Sequence, residues 1–447
     1  MRVPLPLLAA VLGLGLVVVS LPRPSPAALP ARKAPTYAAD VAPILDRRCV
    51  SCHHLGEVAP FSLVGYANAR KHAQMIAEAT DERSMPPWKA VDGFGDFKDT
   101  RVLSPGELST LKDWAAAGAP QGDMSKAPPD PTFAPGWKLG TPDLEVAPEK
   151  PYHLAADGAD VYRHFVIPTH FAEDRWVSGL DVEPGNRKVV HHVILYVDTS
   201  GTGRALEKAN TDGEPGYTRF GSPGFVPASI LGGWVPGVST KMVTPGYGLF
   251  LPKGSDLVVE VHYHKSGKPE TDLTRVALYF SRTPVVKRLD LYWFIKPSID
   301  IPAGEANHVE AATRTIRRDI TLYSIMPHMH LLGKSMEATA TTPDGRVIPL
   351  IKVVNWDFNW QINYEFKQPI HLPAGTKVRM VATYDNTADN PRNPNDPPKE
   401  VKWGEQTTDE MCLMVGVFSV DGEKPIAQEP GALNGRTASL DRPLSRG

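Results

Sequence analysis

Two cysteines and a histidine near the N-terminus have the spacing of a covalent haem attachment site. Residues 47–54 read RRCVSCHH, and in the pattern C-x-x-C-H both thiols add to haem vinyl groups while the histidine binds iron. A zinc site or a thioredoxin-like redox pair would use the same cysteines, but no second Cys/His pair lies nearby and no βαβ pattern surrounds them. The motif therefore predicts haem c, attached through Cys49 and Cys52 and ligated by His53.

A methionine or a second histidine should complete the coordination of the iron. Met85 lies in RSMPPWKA, where two prolines would hold the chain extended and present the thioether from a rigid loop. His72 and Met75 fall in a predicted helix and are weaker alternatives. We therefore expect Met85 to be the sixth ligand.

Histidines also occur in three pairs farther along the chain. The pairs are His191 with His192, His262 with His264, and His328 with His330. Side chains at positions i and i+2 of a strand share a face, so each of the last two pairs could grip one ion. Neutral imidazole suits copper, zinc, nickel or iron, and a thioether ligand would favour Cu(I). The candidate thioethers are Met326, Met329, Met411 and Met414.

The first pair lies in KVVHHVILYVD, a stretch with the composition of a buried strand. Neighbouring side chains leave opposite faces of a regular strand, so His191 and His192 cannot both reach one ion unless the strand distorts or ends there. If they do, we expect one to coordinate through Nδ1 and the other through Nε2. A single core histidine with a surface neighbour is the simpler interpretation of this stretch taken alone.

The motifs HH, VHYH, HMHLLGK and TTDEMC, in that order, resemble those of the copper type II, ascorbate-dependent monooxygenases. That family includes dopamine β-monooxygenase and the peptidylglycine hydroxylating enzyme, and the resemblance covers roughly residues 135–420. It implies two sandwich domains, each holding one copper ion, across a solvent-filled cleft. The first copper is implied to supply an electron, and O₂ is implied to react at the second.

The resemblance also implies which residues bind copper. The implied ligands of the first ion are His191, His192 and His262. Those of the second ion, where catalysis would occur, are His328, His330 and Met411. His264 remains an alternative to His262 and Met414 an alternative to Met411, whereas Met329 alternates away from its histidine neighbours and should pack in a core.

The sequence departs from this family in three respects. The animal enzymes are rich in disulfides, but the β region here contains only Cys412, which we expect to be a buried free thiol. Met326 occupies the position where peptide-amidating enzymes have an arginine that holds a substrate carboxylate. A cytochrome domain precedes the copper domains. These differences leave the substrate and the electron donor open.

The sequence patterns around these residues predict a multidomain fold. It consists of a small all-α cytochrome c domain followed by two tandem all-β, jelly-roll-like sandwich copper domains. Helical periodicity over 38–48 and a Ser104/Glu107 capping box before a second helix bracket the haem motif. The stretches LPKGSDLVVEVHY and LPAGTKVRMVATY lie about 121 residues apart and indicate two similar β domains.

The predicted divisions of the chain follow from these patterns. They are a signal peptide or N-terminal anchor over 1–34, the cytochrome c domain over 35–123, a Pro-rich tethering linker over 124–136, copper sandwiches over 137–285 and 286–421, and a disordered tail over 422–447. The chain has 447 residues with 48 Lys and Arg against 50 Asp and Glu, a balance that argues against a nucleic-acid partner.

The sequence thus predicts a copper-dependent monooxygenase with two copper ions and one covalent haem c. We expect it to hydroxylate a C–H bond of a small organic substrate with O₂, with electrons from an ascorbate-like reductant or another redox protein relayed through the haem. We also expect export to the periplasm or extracellular space, with a membrane attachment only if the signal is uncleaved. The competing hypotheses are an electron-transfer protein and a copper-binding protein, both without substrate turnover.

Overall fold

The protein is described here by a computed structural model, which covers residues 33–133, 136–236 and 240–423. The predicted signal or anchor and most of the predicted tail lie outside the described residues. Within the described part of the chain, no helix has both the length and the apolar composition needed to cross a membrane.

The helices among the first hundred described residues pack around one small core. A π-helical turn, Tyr37–Val41, leads into α1 (Ala42–Arg48), and a 3₁₀ turn occupies Met124–Lys126. The other helices of this part are α2 (Tyr66–Lys71), α3 (Ala73–Asp81) and α4 (Pro105–Ala116). The predicted capping box at the start of α4 is confirmed, since Ser104 accepts from the Glu107 backbone and Glu107 accepts from the Ser104 backbone. Leu45, Leu111 and Trp114 fill the centre of the core.

Beyond residue 140 the regular elements of the described residues are strands, apart from one short helix. The strands before residue 285 are β1 (Leu144–Val146), β2 (Tyr152–Leu154), β3 (Val161–Pro168), β4 (Arg175–Glu183), β5 (Val190–Asp198), β6 (Tyr217–Thr218), β7 (Ser229–Trp234), β8 (Tyr247–Leu251), β9 (Asp256–Tyr263), β10 (Glu270–Asp272) and β11 (Arg275–Phe280), with α5 (Thr202–Ala209) after β5. The later strands are β12 (Lys287–Ile295), β13 (Asp300–Ile301), β14 (His308–Thr315), β15 (Ile320–His328), β16 (Gly333–Thr341), β17 (Val347–Val354), β18 (Tyr364–Leu372), β19 (Lys377–Tyr384), β20 (Val401–Lys402) and β21 (Leu413–Val420).

These strands build two sandwiches. In the first, the sheet β6-β3-β9-β5-β7 packs on β1-β11-β4-β8, and in the second, β14-β19-β16-β17 packs on β12-β21-β15-β18. The two similar sequence stretches end in β9 and β19, each a central strand of its sheet. The sandwiches are not separate along their length, because β12 pairs in parallel with β8 and in antiparallel fashion with β21. One eight-stranded sheet therefore runs through both.

The helical domain is docked on the second sandwich, although the sequence had predicted a domain on a tethering linker. Residues 88–98 follow the haem motif in the chain, and Phe97 lies inside the core of the second sandwich. Isolated bridges join Ala90 to Val353 and Phe97 to Phe366, and the backbone N–H of Lys98 donates to the Glu365 carbonyl at 2.8 Å. These contacts hold the segment against β17 and β18.

Candidate metal centres

A β-bulge allows the side chains of the adjacent residues His191 and His192 to lie on the same side of the strand. Strand β5 pairs with β9 so that Val190 lies opposite Tyr263 and His192 lies opposite His262, with a register shift between Val190 and His192. His191 is therefore an extra residue that bends the strand locally. As a result the Nδ1 atoms of His191 and His192 lie 3.2 Å apart and face the same point.

His262 completes a group of three imidazoles. Its Nδ1 lies 3.3 Å from the Nδ1 of His192, and the potential ligand atoms of all three histidines lie within 4.8 Å of one another. The sequence analysis expected His191 and His192 to use different ring nitrogens, whereas the structure brings the Nδ1 atoms of both together. The bulge causes this difference, since it rotates His191 relative to a residue of a regular strand.

Buried carboxylates lie behind two of these rings. The Nε2 of His262 lies 3.1 Å from Oδ2 of Asp160, and the Nε2 of His192 lies 3.7 Å from Oε1 of Glu260. The other Glu260 oxygen lies 2.8 Å from Nε2 of His164. A carboxylate behind a metal-binding imidazole fixes the proton on the outer nitrogen and the orientation of the ring. The arrangement leaves both Nδ1 atoms available to an ion.

The environment favours the neutral form of His191 and His262, which is the form that binds metal. Burial, together with the neighbouring His192, lowers the pKa of His262 to about 4 although Asp160 opposes the shift. Burial and the charges of the surrounding histidines also lower the pKa of His191 well below its usual range. Burial would raise the pKa of Glu260, but its contacts with imidazole groups outweigh burial and lower the pKa to about 2.

His264 occupies a different position from His262. Its side chain is 60% exposed, and its Nδ1 lies 2.9 Å from Oδ1 of Asp160. The two histidines therefore approach the same carboxylate, and only His262 belongs to the group of three whose ligand atoms converge. This geometry favours His262 over His264 as the metal ligand.

The second pair lies where β15 ends. Nδ1 of His328 lies 2.7 Å from Oε1 of Gln361, and Nδ1 of His330 lies 3.2 Å from the carbonyl oxygen of Asp409. Both rings are buried, and their centroids lie 5.2 Å apart with the planes perpendicular. Because both Nδ1 atoms bond to protein oxygens, Nε2 is the atom that each ring can offer to an ion.

The strand register separates Met411 from Met414. His328 lies opposite Leu413 and Pro327 lies opposite Met414, and residues directly opposite in antiparallel strands point to the same face. Met411 alternates with Leu413 and packs in the same small cluster, so it lies on the face that carries His328. Met414 lies on the other face, inside the sandwich core together with Met329, where Met329 was expected.

Glu410 organises the backbone around this second pair. Its carboxylate accepts from the backbone N–H of His330 at 3.0 Å, of Leu332 at 2.9 Å and of Met411 at 3.2 Å. Burial raises its pKa to about 8 although these hydrogen bonds oppose the shift. One buried side chain thus connects the histidine turn to the strand that carries the methionine.

Phe358 lies between the two groups of histidines. Its ring stacks on His191 with centroids 4.6 Å apart and meets His330 edge-on at 5.5 Å. The centroids of His191 and His330 are therefore at most about 10 Å apart, since one ring contacts both. The resemblance implied a solvent-filled cleft between two copper sites, but here a buried aromatic ring occupies the space between these two histidines.

The haem motif has the donor set that a c-type haem requires. Cys49, at the C-terminal end of α1, and Cys52 are both free thiols, and Cys412 is the buried free thiol that the sequence predicted. Nδ1 of His53 lies 3.2 Å from the carbonyl oxygen of Phe61, which leaves Nε2 for the iron. These residues fit the covalent attachment of haem, with His53 as its ligand.

The structure does not bring Met85 and His53 together in any contact of the described residues. The Phe61 ring lies 4.8 Å from His53 and stacks on His72 at 4.1 Å, so one shared ring links His72 to His53. Met85 lies beyond the end of α3, where its backbone N–H donates to the carbonyl of Ala79 at 3.1 Å.

Several residues of both centres were missed at the sequence level. They are Asp160, Glu260, Phe358, Gln361 and Glu410. Glu260 did carry a signal, because it is a charged residue within an apolar run, two positions before His262. The others lie outside the histidine motifs or beside them without a distinctive spacing.

Comparison with known proteins gives one informative match. No curated protein matches the chain. Solved structures that it resembles include the infectious bursal disease virus Gx strain (11% identity, 66% of this chain and 76% of that chain, TM-score 0.18), the STIV MCP (10%, 62% and 95%, TM-score 0.26) and PNGF-II (9%, 62% and 62%, TM-score 0.25). TM-scores this low do not establish a common fold.

The informative match lies in the second sandwich. Residues 295–418 match the family described as copper type II ascorbate-dependent monooxygenase, C-terminal domain. The matched span runs from the end of β12 almost to the end of β21 and includes His328, His330 and Met411. At the level of the family, the match supports copper-dependent monooxygenase chemistry for this protein.

Proposed function

We propose that the protein is a dicopper monooxygenase that inserts one atom of O₂ into a C–H bond of a small organic substrate. His191, His192 and His262 would hold one copper ion, and His328, His330 and Met411 the other. The observation that carries the proposal is the convergence of two histidine groups on one aromatic ring, Phe358, with a methionine on the strand face of the second group.

The residues of this chain have distinct tasks in that reaction. When bound, copper supplies the one-electron steps and the reaction with O₂, and the overall reaction consumes two further electrons and two protons and releases water. Burial lowers the pKa of the ring at His262, His328 and His330 and so favours the neutral form that binds metal. Asp160 and Glu260 fix the orientation of His262 and His192. The thioether of Met411 favours the reduced ion. Phe358 excludes water from the space between the sites.

Covalent haem c is the proposed electron relay of the same protein. Cys49, Cys52 and His53 would hold it, with Met85 or His72 as the sixth ligand, and an external reductant would supply the electrons. The docking of residues 88–98 supports a fixed relation between the haem domain and the second sandwich, where Trp88 packs edge-on against Tyr364 with ring centroids 5.0 Å apart. Since haem is attached to such motifs outside the cytoplasm, export of the protein is part of the proposal.

We expect the fully loaded protein to contain one covalent haem and two copper ions. Denaturing mass spectrometry measures the haem as added mass, and metal analysis measures the copper. Incubation of the reduced protein with candidate substrates under ¹⁸O₂ should give a product heavier by one ¹⁸O atom. Copper-free protein that still forms product would exclude the dicopper site. Two bound copper ions without product from any substrate would favour an electron carrier or a copper-binding protein.

We also expect the protein not to hydroxylate glycine-extended peptides. Met326 packs in the cluster that contains Met411, and a thioether cannot form the bidentate ion pair by which arginine holds a substrate carboxylate. The measurement is mass spectrometry of a glycine-extended peptide after incubation with reduced, copper-loaded protein. The variant Met326→Arg is the matched comparison. Efficient conversion by the unaltered protein would show that another group anchors the carboxylate.

A further inference from the structure

One segment of the second sandwich contacts residues of both proposed copper sites. We call residues 405–411 the bridging loop. At its C-terminal end, the Asp409 carbonyl lies 3.2 Å from Nδ1 of His330, and the Glu410 carboxylate accepts from the His330 backbone N–H at 3.0 Å. Met411 is the last residue of the loop. This end therefore fixes ligands of the second site.

The other end of the bridging loop reaches the first sandwich. The hydroxyl of Thr407 donates to Oδ2 of Asp160 at 2.5 Å, and the backbone N–H of Asp160 donates to Oε1 of Gln406 at 2.9 Å. The hydroxyl of Tyr162 donates to the carbonyl of Glu405 at 2.6 Å. Three consecutive residues of the loop thus bind two residues at the start of β3.

Asp160 contacts the edge of the His262 ring, and Tyr162 contacts its face. Asp160 Oδ2, the atom that accepts from Thr407, lies 3.1 Å from Nε2 of His262. Tyr162 stacks on His262 with centroids 4.1 Å apart and planes at 12°. Asp160 and His262 are both buried. The orientation of a first-site ligand therefore depends on contacts that the bridging loop supplies.

We infer that Asp160 and Thr407 are positioning residues that couple the two copper sites, so that metal bound at one site increases the affinity of the other. The inference rests on the proposed function. An ion held by His330 and Met411 restricts the bridging loop at one end, and the ordered loop then holds Asp160 and the His262 ring in place before an ion binds there. Coupling between binding sites is reciprocal, so the same increase applies in both directions.

The test is a copper titration of the metal-free protein against a competing chelator, with the Cu(II) electron paramagnetic resonance spectrum recorded at each step. Thr407→Val removes the hydroxyl and keeps the shape of the side chain. We expect it to lower the copper affinity of the all-histidine site roughly 10-fold, the lower end of the range for losing a direct partner of a ligand, because Thr407 bonds to that partner, Asp160. Thr407→Ser should restore the affinity. Thr408→Val is the matched control, because Thr408 is exposed and makes no side-chain hydrogen bond in the described part of the chain.

A double-mutant cycle separates coupling from a local effect. Introduced alone, Met411→Ala should lower the copper affinity of the all-histidine site. Introduced into the Thr407→Val protein, it should have much less effect on that affinity. Additive effects, or a Thr407→Val protein that titrates like Thr408→Val, would overturn the coupling while leaving a protein that binds two copper ions. Unaltered protein that binds fewer than two copper ions would instead overturn the proposed function, and with it the coupling.

Discussion

Met411→Ala should abolish product formation while the protein stays folded and its all-histidine site still binds copper. The change removes the proposed soft ligand, which would stabilise Cu(I) at the second site. Met411 lies in a small cluster outside the sandwich core, so the cost in stability should be modest. We expect turnover to fall by at least about 100-fold, the upper end of the effect of losing only an indirect partner of a ligand. Product formation under ¹⁸O₂ measures turnover, and metal analysis should show the loss of no more than one copper ion.

Met414→Ala is the control on the opposite face of the same strand. Met414 is buried in the core of the second sandwich, so its truncation should lower the free energy of unfolding by about 2–5 kcal/mol. The fraction that remains folded should keep its activity. If the Met414→Ala protein is inactive with normal stability and the Met411→Ala protein is active, the assignment of Met411 as the sulfur ligand is wrong.

Arg163→Met should cause the largest loss of stability among single changes near the first site. Arg163 is 0% exposed, and its guanidinium donates to Asp212 at 2.6 and 3.1 Å and to the carbonyls of Glu214, Pro215 and Gly216 at 2.7, 2.7 and 3.0 Å. Methionine leaves the carbonyls of Pro215 and Gly216 without this donor, and each unsatisfied buried acceptor costs about 1–3 kcal/mol, so we expect a loss of about 2–6 kcal/mol in the free energy of unfolding. Asp212 contributes less, because it is 46% exposed and keeps the donors Asn210 and Glu214. The measurement is the change in the denaturation midpoint of the metal-free protein.

Arg282→Met provides the comparison for an exposed pair. Arg282 forms an ion pair with Asp143, but its side chain is 79% exposed, and surface pairs contribute about 0–1 kcal/mol. Arg163 also lies in β3 between Tyr162 and His164, two residues that contact the histidine group or its carboxylate. Its loss should therefore weaken copper binding at the first site as well. An Arg163→Met protein as stable as Arg282→Met would contradict the structural role assigned to this residue.

The sequence by itself determined the chemistry that is local in the chain. The C-x-x-C-H spacing, the histidine pairs and the Ser104/Glu107 capping box depend on residues a few positions apart, and backbone geometry relates such residues directly. The sequence also showed that His191 and His192 could not both face one ion in a regular strand, because the alternation of side chains along a strand is a local rule. A distortion of the strand was therefore expected. The motif order was sufficient to indicate the copper family that residues 295–418 match.

Only the tertiary structure decided how distant parts of the chain meet. The choice of Nδ1 at both His191 and His192 depends on the pairing of β5 with β9, and the position of Met411 beside His328 depends on the register of β15 against β21. Asp160 meets Thr407 across 247 positions of sequence, and no local rule relates residues that far apart. The docking of residues 88–98 and the sheet shared by both sandwiches also depend on contacts between distant parts of the chain. Strand pairing and side-chain packing select such contacts among many alternatives of similar composition, so they follow from the assembled fold.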